Sequence, residues 1–211
     1  MSTLKELYGK TVKVVSTDPT DAGAEGQVWY NTTSGTFKTV LNVGGWSAGG
    51  NLAVAVRGNR SAGTQNAALT AFGNTAAPAF VNTSYEYNGS SWASNIAANT
   101  GRAYLSGFGI QTAAIYAGGY SGPVYNNTEE YNGSSWANVN AIGTARFYVG
   151  GAGTETAGLI YLGTPPDTGK TEEYNGTTWS EVTDNPTPRR FGNGFGTQTA
   201  ALAAGGLPNS A

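Results

Sequence analysis

The stretch Glu129–Trp136, EEYNGSSW, is spelled almost identically twice more, as YEYNGSSW at Tyr85–Trp92 and EEYNGTTW at Glu172–Trp179. Asn-Gly between runs of strand-forming residues is the strongest short-range cue for a β-hairpin, since both residues tolerate a left-handed backbone. Each copy therefore reads as a corner between two strands. The Tyr before the corner and the Trp after it are placed to pack across it or against a neighbouring unit.

Two further marks keep step with this one. Trp46, Trp92, Trp136 and Trp179 are spaced by 46, 44 and 43 residues, and so are GTQNAAL from Gly63, GIQTAAI from Gly109, GTETAGL from Gly153 and GTQTAAL from Gly196. Arg57, Arg102, Arg146 and Arg190 follow nearly the same spacing. A period of about 44 is the length of a four-stranded propeller blade. Residues 146–182 illustrate the parse: RFYVGGAG and TAGLIYLG as first and second strands, TPPDTGK as a loop, TEEY as the third strand, NGTT as the corner and WSEV as the fourth.

Composition narrows the function. Of 211 residues only 11% are charged, 32 are glycine, the net charge is −2, and there is neither cysteine nor histidine. Such a chain suits short strands and tight turns rather than helices. It shows no basic footprint for nucleic acid or an anionic membrane surface, and no apolar run of spanning length. Ser-His-Asp and Cys-His devices and ordinary zinc sites are excluded by composition. Carboxylates remain, but Glu129-Glu130 and Glu172-Glu173 recur once per repeat, whereas a catalytic pair is needed once. The expectation is no enzyme, no catalytic residue, no metal and no cofactor. Glu86, Glu130 and Glu173 are expected to make repeated polar contacts with Arg102, Arg146 and Arg190. The opening MSTLKELYGKTVKVV has neither the apolar segment nor the cleavage site of a secretory signal.

The repeats resemble the kelch repeat, with a Gly-Gly doublet ahead of a Tyr and a Trp: Gly118-Gly119, Tyr131 and Trp136, with Gly205-Gly206 closing the last unit. The doublet is degenerate at Phe72-Gly73 and Leu162-Gly163, and the Tyr-to-Trp spacing is one residue short of the usual form. The resemblance implies an all-β fold, a kelch-like β-propeller of about four blades plus a short N-terminal β-hairpin segment. Residues 1–36 form the attachment or oligomerisation segment, with GQVWYNTTSGTFKTV as its hairpin, and residues 37–211 the propeller. Within it, 37–50 is a half-blade, 51–95, 96–139 and 140–182 are blades, and 183–211 is a second half-blade. The two half-blades are expected to join in a velcro closure that satisfies open strand edges. The rival readings are a chain that continues into further blades and an association of arcs into a larger homo-oligomeric ring.

STDP, GQVWYNTTSGTFK, GFGTQTAALAAGG and the YNGSSW units together are similar to virion structural and tail-fibre-like proteins of marine tailed bacteriophages. The resemblance implies a virion component made in the host cytoplasm and acting outside cells. Its partners would be other virion proteins and a host surface glycan or receptor, with no nucleic acid and no membrane insertion. The alternatives are a purely structural connector or decoration protein and, more weakly, a glycan-cleaving enzyme. Residues that differ between blades are candidates for recognition, namely Phe80, Tyr120, Tyr125, Asn126 and Asp167 in the loops after the second strands. Trp46, Trp92, Trp136, Trp179, Tyr87, Tyr131, Tyr174, Arg102, Arg146 and Arg190 are expected to build the scaffold.

Overall fold

The computed structural model describes residues 13–19, 27–39, 49–76 and 79–208, and every regular element among them is a β-strand. The chain divides into two units, Met1–Ala48 and Gly49–Ala211.

In the first unit, β1 (Lys13–Val15) runs parallel to β2 (Val28–Asn31), which forms the expected hairpin with β3 (Thr36–Thr39). The corner is held by Asn31, whose Oδ1 accepts the N–H groups of Thr33 (2.9 Å) and Ser34 (3.0 Å). Asp18 gathers the Lys38 ammonium (2.7 Å), Asn31 Nδ2 (2.6 Å) and Trp29 Nε1 (3.0 Å). These donors, Lys38 first, hold its carboxyl down at about 2. The proposed half-blade 37–50 falls mostly on residues 40–48, including Trp46, which lie outside the described residues.

The second unit contains three four-stranded antiparallel meanders. The first sheet is β4 (Arg60–Thr64), β5 (Ala67–Ala71), β6 (Ser84–Tyr87) and β7 (Trp92–Asn95). The second is β8 (Ser106–Ile110), β9 (Ala113–Ala117), β10 (Thr128–Tyr131) and β11 (Trp136–Val139). The third is β12 (Gly150–Thr154), β13 (Ala157–Tyr161), β14 (Thr171–Tyr174) and β15 (Trp179–Val182). A two-stranded ladder, β16 (Arg189–Arg190) with β19 (Leu207–Pro208), and a hairpin, β17 (Asn193–Thr197) with β18 (Ala200–Ala204), follow. First strands neighbour one another in series: β4 beside β8, β8 beside β12, β12 beside β17. This layout is consistent with a β-propeller-like fold.

The corners behave as their sequence demands. Asn88, Asn132 and Asn175 each turn a side-chain oxygen onto the two N–H groups that follow the glycine, at 2.8–3.0 Å. Only the glycines, Gly89, Gly133 and Gly176, take positive φ, so the asparagines serve through their side chains. Tyr and Trp meet across each corner, with ring centroids 5.0, 5.0 and 4.9 Å apart.

Two core clusters sit between sheets. Leu69 and Phe72 of the first sheet meet Leu105, Tyr116 and Trp136 of the second; Phe108 and Ile115 of the second meet Val149, Ile160 and Tyr174 of the third. The tryptophans also reach back by hydrogen bond, Trp136 Nε1 to the Ile96 carbonyl (3.0 Å) and Trp179 Nε1 to Thr128 Oγ1 (3.1 Å). Main-chain bonds fasten the same joints: the N–H groups of Gly73, Gly119 and Gly163 donate to the carbonyls of Arg102, Arg146 and Arg189 at 2.9–3.0 Å. This explains the degenerate doublet. Its first residue is left-handed with φ of 63–74°, a region Phe72 and Leu162 enter at a cost, whereas Gly73, Gly119, Gly163 and Gly206 sit at 99–122°. A Cβ on any of these four would meet a carbonyl oxygen at 2.9–3.1 Å, so this position accepts only glycine.

The arginine partners differ from expectation. Arg102 pairs with Glu129, and Arg146 with Glu172 at 2.5 Å, all with side chains at most 4% exposed. Glu130 and Glu173 lie one residue later and face the other side of their strands. Glu129 also accepts the Asn99 N–H (2.7 Å) and Thr100 N–H (3.2 Å), and Glu172 the Gly143 N–H (2.7 Å). Burial lowers the Arg102 pKa, with Glu129 opposing that shift. In the first sheet Tyr85 takes the glutamate's position and Arg57 bonds Asn74 Oδ1 instead (3.0 Å). After the third sheet the position equivalent to Arg102 is Arg189, not Arg190. Arg189 donates to the Gly205 carbonyl (3.1 Å), as Arg102 does to that of Gly118 (2.8 Å).

Glutamines of the GTQ turns tie sheets together. Gln111 Nε2 donates to the carbonyls of Ala68 (3.2 Å) and Tyr87 (2.7 Å), and Gln198 Nε2 to those of Gly158 (3.0 Å) and Tyr174 (2.9 Å). At the joint of the second and third sheets the equivalent residue is Glu155, which faces Glu130. The Glu155 contact and burial raise the Glu130 pKa. A raised carboxyl stabilises the fold below its unfolded value of 4.5, and that contribution is lost as pH rises through the folded one. Glu155→Gln should therefore raise stability at pH 7 by about 1 kcal/mol, and by less at pH 4, in urea titrations at the two pH values. Glu129→Gln strands a buried guanidinium and should cost roughly 3–5 kcal/mol in the same titration.

Candidate functional site

The residue two positions before each first strand has an unusual backbone. Gly58, Tyr104, Tyr148 and Phe191 occupy equivalent places and all are left-handed, with φ of 67, 62, 57 and 62°. For a non-glycine residue this costs on the order of 1–3 kcal/mol and requires support from the surroundings. The support is a relay of main-chain bonds from sheet to sheet: Tyr104 N–H to the Gly58 carbonyl (2.8 Å), Tyr148 N–H to Tyr104 (2.7 Å) and Phe191 N–H to Tyr148 (3.1 Å). The four residues thus form a collar at one end of the first strands.

The collar is aromatic and continues into the loops. Tyr148 lies 3.6 Å from Phe191 and 4.8 Å from Tyr104 between ring centroids. Phe147 contacts Tyr148 at 4.6 Å and Tyr120 at 5.1 Å, and Tyr120 meets Phe80 edge-on at 5.7 Å. Phe80, Tyr104, Tyr120, Phe147 and Tyr148 are half-buried and Phe191 is exposed, so the run offers ring area to a ligand. Burial, and the neighbouring Tyr104, raise the Tyr148 pKa, which keeps its hydroxyl a proton donor at neutral pH.

Of the sequence-predicted binding residues, Phe80 and Tyr120 belong to this run. Tyr125 stands beside it, its hydroxyl 3.0 Å from Ser121 Oγ. Asn126 is exposed, and its carbonyl accepts the Ile142 N–H (3.0 Å). Asp167 is not free for a ligand: its side chain is 1% exposed and pairs with Arg190 at 3.2 Å. Tyr104, Phe147, Tyr148 and Phe191 do not stand out in the sequence, because they sit in step with the repeat, next to the arginines, where scaffold positions are expected. The signal was there in the change from Gly58 to Tyr104, Tyr148 and Phe191 at one position.

The arrangement provides flat apolar faces bordered by phenolic hydroxyls and loop amides. Such a surface stacks on the C–H faces of sugar rings or on other planar groups while fixing orientation by hydrogen bonds. No protein-family model matches the chain, and no curated protein matches it.

Left-handed strain at the collar makes a direct test. Tyr148→Gly and Tyr148→Ala remove the same ring, but only alanine keeps the backbone penalty. The glycine variant should be more stable than the alanine variant by about 1 kcal/mol in urea denaturation.

Proposed function

We propose that the chain is a non-enzymatic component of a tailed-phage particle, a fibre or appendage protein whose aromatic face contacts glycan on the host surface. The observation that carries this reading is the unbroken run of rings from Phe80 through Tyr120, Phe147 and Tyr148 to Phe191 on one end of the sheet array. The low charge and the wealth of Ser, Thr and Asn support it, since a neutral sugar is bound by stacking and hydrogen bonds rather than by ion pairs. Individual sites of this kind are weak, and many copies in one particle multiply them.

The same reading includes a kelch-like propeller of about four blades whose last blade is completed by a partner strand, and one feature supports it. Phe195 and Leu202 on the terminal hairpin are 61% and 56% exposed, while their counterparts Phe108 and Ile115 are 5% and 0%, so that hairpin lacks the cover its fellows have.

The uncovered hairpin also favours a second reading, a structural connector that binds other virion proteins through β18. A glycan array separates the two. Wild-type protein should bind a subset of glycans, and Tyr120→Ala with Phe147→Ala should abolish binding while the melting temperature stays within a few degrees. An array without hits, or hits untouched by the double variant, would overturn the glycan reading.

A further inference from the structure

Just past the collar, the four first strands converge on a cavity of about 150 Å³. Two consecutive residues from each strand line it: Arg60 and Ser61 of β4, Ser106 and Gly107 of β8, Gly150 and Gly151 of β12, Asn193 and Gly194 of β17. At the opening position of these strands the repeat gives Arg, Ser, Gly and Asn. The scaffold marks are repeated from sheet to sheet; this position differs in every one. A position that varies where four copies converge is a place for recognition.

The chemistry of the lining has one sign. No carboxylate lines the cavity, and among the described residues none pairs with Arg60, whose Nη1 donates to the carbonyl of its neighbour Asn59 (3.2 Å). Burial without an anionic partner lowers the Arg60 pKa, the mark of a charge held out of water at a cost. Ser106 is 1% exposed, its Oγ has no hydrogen-bond partner, and it lies against Gly151 of the neighbouring first strand. Buried polar atoms in folded proteins almost always have partners, and an orphan hydroxyl lining a cavity that also holds an unpaired guanidinium asks for an acceptor.

We propose that this cavity is an oxoanion site, filled by a sulfate, phosphate or carboxylate group held by Arg60 and Ser106. Arginine offers forked donors matched to such a group, and the hydroxyl completes the set. The inference does not depend on the glycan reading: the group could be a free ion or the charged substituent of an acidic polysaccharide.

The test is calorimetric titration of the full chain with sodium sulfate and with sodium phosphate, at ionic strength matched with sodium chloride. Saturable binding is expected, weakened about tenfold or more by Arg60→Gln and severalfold by Ser106→Ala. Ser106→Ala removes one buried oxygen, so it folds even if Arg60→Gln does not. Sulfate stabilises most proteins by exclusion from their surfaces, so melting curves count only as the wild-type shift minus that of Ser106→Ala. No saturable heat with either ion, or affinity unchanged in both variants, would overturn the proposal. A sulfated galactan and its desulfated form distinguish the sources. Preference for the sulfated form that disappears in Arg60→Gln places the group on a glycan. Equal binding of the two forms alongside sulfate binding establishes a free-ion site. Sulfate binding with no glycan binding would sustain this site while removing the proposed function.

Discussion

A meander of four strands, each four or five residues long, has too little surface to be stable alone. What the structure depends on is the joint between one sheet and the next, and that joint is made first by the main chain. Each lead-in segment offers a carbonyl to the glycine of the preceding sheet, and each collar residue donates its N–H to the collar residue before it. Main-chain bonds do not read side chains. They read whether the backbone can reach the required φ, which is why Phe-Gly and Leu-Gly replace Gly-Gly without loss of the bond.

Side chains then fix what the main chain leaves loose. The buried Arg102–Glu129 and Arg146–Glu172 pairs gain little net stability, because desolvation offsets most of their attraction. Their consequence is positional. Glu129 also takes the N–H groups of Asn99 and Thr100, so the same carboxylate determines where the lead-in loop runs and where Tyr104 enters the collar. The first sheet has no such glutamate, and its collar residue is glycine. Where the pair is present, the collar carries a tyrosine.

The scaffold was largely legible in the sequence because it is written several times over. TEEY and WSEV coincide with β14 and β15, and the Tyr–Trp contacts appear at all three corners. The first strand starts at Gly150 rather than at Arg146, because left-handed Tyr148 breaks the extension, and alternation alone does not reveal a positive φ. The choice between Glu129 and Glu130 was illegible for a related reason. Adjacent strand residues face opposite ways, and which way is inward depends on a register set elsewhere. Arg189, 43 residues after Arg146, keeps the last step of the Trp and Gly marks, which Arg190 misses by one. Equivalence in space follows the carbonyl that meets Gly163.

Repetition also explains where specificity can reside. A residue that serves a joint is constrained identically in each sheet, so it cannot distinguish one ligand from another. Glu155 shows the cost of departing from the pattern, since a carboxylate there cannot donate to the carbonyls that Gln111 and Gln198 reach. The strand-opening position escapes this constraint. Its side chains lie against the neighbouring first strand, Arg60 against Gly107 and Ser106 against Gly151, where glycine makes room for them. Arg, Ser, Gly and Asn can therefore occupy one repeat position without disturbing a joint. Variation among the sheets is found where the first strands converge and in the aromatic residues that precede them.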